Sequence, residues 1–332
     1  MAFNPRAIST ALASMAFICG VSVAQAGDGK ASGPDPISEG AAVYATFHSD
    51  VSNVRNKPLA SASDIETTLN NLGGQNPDKL SSGWLAYSAM IAAQDPEYRE
   101  AVRDIASFYG EDSLRLGLRN DIRYARTLSG GTGAVTSALG ATQADRRRLE
   151  GAGAYVKEQA YSLQGTSWAK ARVANTQGLI NGMRTTAISG RPVRGEINTA
   201  FGGSDIDAVL SKAAGNSTES LWDGVTTAAG AVNFPDLSLG YSGRDARIRA
   251  GKEPIADKIA TLAAYRVLGA EDMPASEMRT ALKERSTKNC LNMAQLNLHQ
   301  CVAAAHKQYE VPFCIGEHAL TEVGTCIGDV TQ

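Results

Sequence analysis

Four of the five cysteines, Cys290, Cys301, Cys314 and Cys326, fall within the last 43 residues. Their spacing is the most specific chemical signal in the chain. Cys290 and Cys301 are eleven residues apart; on an α-helix that is three turns to within about 20°, so both share one face, roughly 16 Å apart along the axis. Cys314 and Cys326 are twelve apart. Between the pairs lies Tyr309-Glu310-Val311-Pro312-Phe313, whose proline is expected to end the first helix. Bridged Cα atoms lie about 4.4–6.8 Å apart, which excludes Cys290–Cys301 and disfavours its complement. Two antiparallel helices would bring the inner cysteines together near the turn and the outer ones together at the far end. The expected pairing is therefore Cys301–Cys314 with Cys290–Cys326, the crossed pairing being the remaining alternative. An even number of cysteines in an exported chain favours disulfides over a zinc site completed by His299, His306 or His318, so neither a metal nor a cofactor is expected.

This arrangement is similar to the coiled-coil-helix hairpins built on paired cysteine-x9-cysteine units. Ten and eleven residues intervene here, so the likeness is one of geometry and not of kinship. Ser167-Trp168-Ala169-Lys170 resembles the Ser-x-x-Lys arrangement of penicillin-recognising enzymes, where a lysine one helical turn on activates the serine. The Ser-Asp-Asn and Lys-Thr-Gly companions are missing from the sequence, and the segment reads as a polar helix face with Trp168 turned inward. Thr218-Glu219-Ser220 resembles the acidic motif of lytic transglycosylases, in which a glutamic acid protonates a glycosidic oxygen. The downstream stretch expected of that family is absent, and Ser217 or Thr218 as an N-cap with Glu219 in the first turn accounts for the residues. Leu239-Gly240-Tyr241-Ser242-Gly243 falls short of a nucleophile elbow because Arg244 occupies the last glycine position. The glycine runs at 130–133 and 202–203 lack the lysine of a phosphate loop. No catalytic residue is assigned.

Arg115, Arg119, Arg123 and Arg126 recur at helical spacing and would form a guanidinium stripe able to hold an acidic envelope protein or polymer. Glu97, Glu100, Asp104, Glu111 and Asp112 lie close enough in sequence to neutralise it instead. His299 and His306, seven apart, share a helix face and could form a pH-responsive or metal-binding trio with His318; structural histidines are the simpler reading. His48 stands alone.

The elements that must position these groups read as helices throughout. Ser38 opens one carrying Val43, Phe47, Val51 and Val54; Ser63 or Asp64 opens a second that ends at Gly73-Gly74. Trp84, Tyr87, Met90 and Ile91 mark a third. A fourth begins at Pro96, with Val102, Ile105, Ala106 and Tyr109 on its inner side. Leu114, Leu118, Ile122 and Ala125 back the arginine stripe. After a glycine-rich break at 130–140, a long helix runs from Thr142 to about Asn175, with a possible joint near Gly165. Its seam is Leu149, Ala152, Val156, Ala160 and Leu163. Residues 189–203 and 233–254 are non-helical loops, which a small ligand could use, flanking a short helix opened by Ser204-Asp205. Helices at 255–268 and from Pro274-Ala275 precede the cysteine hairpin. The fold class is all-α, an Ala-rich multi-helix bundle with a C-terminal disulfide-stapled helical hairpin.

Residues 1–26 have the parts of a secretory signal: Arg6, an apolar stretch from Ile8 to Val23, and Ala24-Gln25-Ala26 before Gly27. About 16 apolar residues fall short of the roughly 20 that span a bilayer. Ile18 before Cys19 argues against a lipoprotein signal. The expected organisation is signal 1–26, flexible leader 27–36, helical domain 37–285 and stapled hairpin 286–332. Loss of Arg6 leaves 31 of the 32 Lys and Arg against 34 Asp and Glu, a balance without the positive field that nucleic acid or anionic membrane requires. With no later apolar span, the reading is a periplasmic or secreted, non-enzymatic envelope interaction component. A diverged peptidoglycan hydrolase or lytic transglycosylase, and a small-ligand binder, are its alternatives.

Overall fold

The computed structural model describes residues 35–202, 206, 246–270 and 273–332. The signal at 1–26, nearly all of the leader, the Ser204-Asp205 helix, the Glu219 motif and the 239–244 segment lie outside the described residues. Among those described the architecture is all-α, with two isolated bridges, Arg172 to Lys307 and Ile248 to Thr331, as the β pairing.

Helix α1 (Pro36–Asn56) starts three residues earlier than a Ser38 cap would place it, because Asp35 caps it. The Asp35 carboxylate accepts from the Ile37 and Ser38 amides at 2.8 and 3.1 Å, and Pro36 sits where no N–H is needed. Arg266 Nη1 holds the same carboxylate at 2.8 Å. Helix α2 (Ala62–Gly73) opens at Ser61, not Ser63 or Asp64, through the Ser61 hydroxyl and the Asp64 amide. Its closing Gly74 has φ −85° and needs no left-handed turn. What Gly73 and Gly74 provide is room, since a Cβ on either would come within 2.8 Å of Met183, Leu298 or Thr186 side chains.

Helix α3 (Pro77–Ala92) is buried along most of its length against α1. A Cβ on Gly83 would meet the Gly40 carbonyl oxygen at 2.7 Å, so the glycines let the two backbones approach. Trp84, Tyr87, Met90 and Ile91 are buried as their spacing predicted. Helix α4 (Pro96–Tyr109) turns at Gly110, φ +87°, directly into α5 (Glu111–Asn120); after a turn comes the four-residue α6 (Tyr124–Thr127). Helix α7 (Gly131–Leu163) is longer at its start and shorter at its end than expected. Gly130 alone breaks the chain, with φ +73°; Gly131, Gly133 and Gly140 are inside the helix. The seam from Leu149 to Leu163 is buried.

Helices α8 (Thr176–Ser189), α9 (Gly195–Gly202), α10 (Glu253–Val267) and α11 (Ala275–Ala281) complete the body. The C-terminal hairpin pairs α12 (Arg285–Ala304) with a second arm of three consecutive pieces: α13 (Glu310–Cys314), a π-helical stretch Ile315–Thr321, and α14 (Glu322–Gly328). The first arm ends at Ala304, well before Pro312, which instead sits in the first turn of α13, where proline is tolerated. Cys290–Cys326 and Cys301–Cys314 are bridged, with Cα atoms 5.5 and 5.6 Å apart. The hairpin's buried residues, including Leu298, Val302, Ile315, Leu320 and Ile327, belong to the same hydrophobic core as α1, α3 and α7.

Candidate functional site

The residue types with the strongest claim to contact another molecule lie on the corner between α4 and α5. Asp95 caps α4 through the Tyr98 amide at 2.9 Å, and Tyr98 and Val102 anchor the helix inward, the Tyr98 hydroxyl donating to the Ala260 carbonyl at 2.8 Å. The last turn of α4 runs past the core, and residues 107–113 are all exposed. Phe108 is 80% and Tyr109 67% exposed, with ring centroids 4.7 Å apart in an edge-to-face pair. Leu116, 56% exposed, and Ile122 also face solvent. This corrects the inward placement of Tyr109 and Ile122. Tyr109 shares the spacing of Val102 and Ala106, but it is 67% exposed at the end of α4, with none of the described residues burying it.

The four arginines do not form one stripe, because the helix breaks at Asp121 between Arg119 and Arg123. Arg115 is a clamp: it pairs with Glu111 and donates to the Leu268 and Gly269 carbonyls at 3.0 and 3.3 Å, at the end of α10. Arg126 meets buried Asp257 at 2.5 Å. Arg119 reaches Glu277 on α11 at 2.7 Å, and Arg123 pairs with Asp121 at 3.2 Å. Of the acids expected to neutralise the four, Glu111 does so; Asp121, Asp257 and Glu277 do the rest. Arg119 and Arg123 keep more than half of their side-chain surface in solvent, where water screens such pairs and leaves them weak, so either guanidinium can exchange its partner readily.

The histidines are dispersed in role. His299 is nearly buried, its Nε2 without a hydrogen-bond partner, and burial, then the Arg184 charge, pulls its pKa below the usual value. His306 is exposed, while His318 Nδ1 lies 3.0 Å from Glu322 one turn on. Among the described residues no three His, Cys, Asp or Glu side chains are placed to hold a metal ion. Ser167 and Lys170 lie in a turn, not on a helix, so the lysine is not one helical turn from the serine.

Two polar clusters had no sequence signal. Between α1, α3 and α7, fully buried His48 lies with Nε2 3.9 Å from Asp145, and Tyr44 donates to the same carboxylate at 3.1 Å. Burial, with a smaller push from Arg148, holds the imidazole well below its usual pKa; burial, then Asp145, raises the Tyr44 phenol. Under α1, buried Asp50 takes Arg191 and Arg194 at 2.7 and 2.8 Å. Its pKa is raised by burial, against the pull of both arginines. His48 and Asp50 sit in an otherwise helical apolar pattern, and Arg191 and Arg194 in a Gly- and Pro-containing loop, so only their contacts reveal them. No protein-family model matches the chain, and no curated protein or solved structure does so either.

Proposed function

We propose that the chain is an exported, non-enzymatic interaction protein of the cell envelope whose α4–α5 corner docks a partner protein. The observation that carries this is the solvent-facing Phe108–Tyr109 pair. Aromatic residues are enriched where protein surfaces meet, and two edge-to-face rings held outside a well-formed core add nothing to folding that a polar pair would not. Leu116, on α5, is also exposed, and Arg119 and Arg123 follow it in sequence. The partner that fits is a protein presenting an apolar hollow edged by carboxylates, to which the two exposed guanidinium groups transfer from Glu277 and Asp121.

Export supports the same reading. The two disulfides suit an oxidising compartment, no helix among the described residues is long and apolar enough to cross a membrane, and residues 1–26 have the form of a cleavable signal. The periplasm is the compartment proposed. Capture of the tagged full chain from cross-linked cells tests the docking role. One or two envelope proteins are expected near stoichiometry with the wild type and at background with Phe108→Ser/Tyr109→Ser, which should fold normally because both positions are exposed. Equal recovery with the double variant would refute the docking surface. N-terminal sequencing of the recovered protein should begin at Gly27.

A further inference from the structure

Helix α12 turns Leu291, Ala294, Leu298 and Val302 into the core, and none of the described residues buries its opposite face. Along that face Asn289, Met293, Leu296, Gln300 and Ala303 are exposed, at intervals of four, three, four and three residues that hold them in one stripe. Met293 is 56% and Leu296 44% exposed. Residues 289–306 contain no Asp, Glu, Lys or Arg, in a chain of which 20% is charged. A helix face left to water is ordinarily polar and charged, whereas this one sets two apolar side chains among uncharged amides. We propose that this face of α12 pairs with the same face of a second copy of the chain, antiparallel about a two-fold axis at Leu296.

A two-fold contact requires a surface that complements itself, and the order of residues along α12 meets that condition. Asn292 and Gln300, both exposed, are each four residues from Leu296, so an antiparallel copy sets Asn292 of one protomer opposite Gln300 of its partner, twice. A side-chain amide donates and accepts, so the two can pair in either sense. Asn289 and Ala303 are each seven residues from Leu296, which places a larger side chain against a small one. Leu296 meets its own counterpart on the axis, with Met293 one turn away. The charge fits as well. Arg285, exposed at the first position of α12, is the one residue of the stripe that carries charge. A cation is unfavourable at the N-terminal end of its own helix and favourable at the C-terminal end of another. Eleven residues put Arg285 roughly 16 Å from the axis, and the partner's α12, ending eight residues beyond Leu296, reaches about 12 Å, so the guanidinium group arrives at that end. Lys307 lies past α12, where the chain has left the helix to pair with Arg172. A strongly charged partner protein, by contrast, finds no counter-charge between Asn289 and Ala304. A contact of about four helical turns belongs with the small interfaces, below about 1,200 Å², so the dimer is weak and reversible.

The full chain with both disulfides formed is followed by sedimentation from about 10 µM to about 1 mM, the range expected of a weak interface. A monomer–dimer equilibrium should have its midpoint there. Leu296→Glu sets two carboxylates against each other on the axis and should raise the dissociation constant about a hundredfold or more; the position is exposed, so an unchanged thermal unfolding curve will show that the fold is kept. Under mild air oxidation Leu296→Cys should give a disulfide-linked dimer that neither the wild type nor Asn289→Cys gives. Phe108→Ser/Tyr109→Ser should dimerise as the wild type does, which separates this face from the α4–α5 corner. A monomer across the whole range, a dimer that Leu296→Glu leaves unchanged, loss of the dimer in the Phe108/Tyr109 variant, or equal cross-linking through Asn289→Cys would overturn the pairing. Cross-linking of Leu296→Cys to a different protein, with the chain itself monomeric, would overturn it too and give the face to that protein.

Discussion

Burial holds the His48 imidazole neutral even though the Asp145 carboxylate is 3.9 Å away, so desolvation outweighs that attraction. A histidine whose folded pKa is lowered contributes no pH dependence above its unfolded value of about 6.5, where both states are neutral. As pH falls below that value the unfolded chain takes up the proton first and stability is lost. From pH 7.5 to 5.5 the loss should be on the order of 1 kcal/mol. Urea denaturation of His48→Gln should lack this increment, whatever its absolute stability; identical pH slopes in the two proteins would refute it. Asp50 works in the opposite sense at lower pH. Its raised folded pKa means stability declines as pH rises through and above the usual carboxylate range, so the comparison with the variant is what isolates His48. Neither environment was legible beforehand. His48 and Asp50 are two residues apart on α1 and both buried because other helices cover that helix on several sides, which local periodicity cannot record. The arginines show the same limit, since their recurrence is plain in the sequence but the break at Asp121 and the partners Asp257 and Glu277 come from distant segments.

Among the elements, the second arm of the hairpin explains how the cysteines meet. Twelve residues of regular α-helix end about a third of a turn away from the starting face, which would turn Cys326 off the side occupied by Cys314. The π stretch Ile315–Thr321 turns at about 4.4 residues each, and seven such residues remove roughly that excess. The same stretch crosses α7 closely: a Cβ on Gly153 would stand 2.6 Å from the Gly316 carbonyl oxygen. Alanine is the better helix former by about 1 kcal/mol, yet crowding a packed contact is unfavourable by about 1–3 kcal/mol, so Gly153→Ala should destabilise. Gly133→Ala in the same helix meets nothing nearer than Asp95 Oδ2 at 3.5 Å and should stabilise by up to about 1 kcal/mol. Denaturation midpoints moving in the same direction for both would show that the Gly153 crossing does not set the packing.

For the molecule as a unit, the two bridges tie the end of the chain onto a core shared by all the long helices. In the chain-entropy account, the separations of 36 and 13 residues correspond to about 4 and about 3 kcal/mol. Removing Cys290–Cys326 as a serine pair should therefore lower stability more than removing Cys301–Cys314, as measured by chemical denaturation. The reverse order would show that local contacts in the hairpin, not loop closure, dominate. The all-helical class and the pairing of the cysteines were set by the sequence alone, because helical periodicity and the reach of a disulfide are local and geometric constraints. Tertiary structure decided what no local pattern encodes: that Tyr109 and Ile122 face water, that Asp50 and His48 do not, that each stripe arginine has a partner, and that Met293 and Leu296 lie on the exposed side of α12. Those outcomes depend on which helices cover which faces, and burial is a property of the neighbours as much as of the residue.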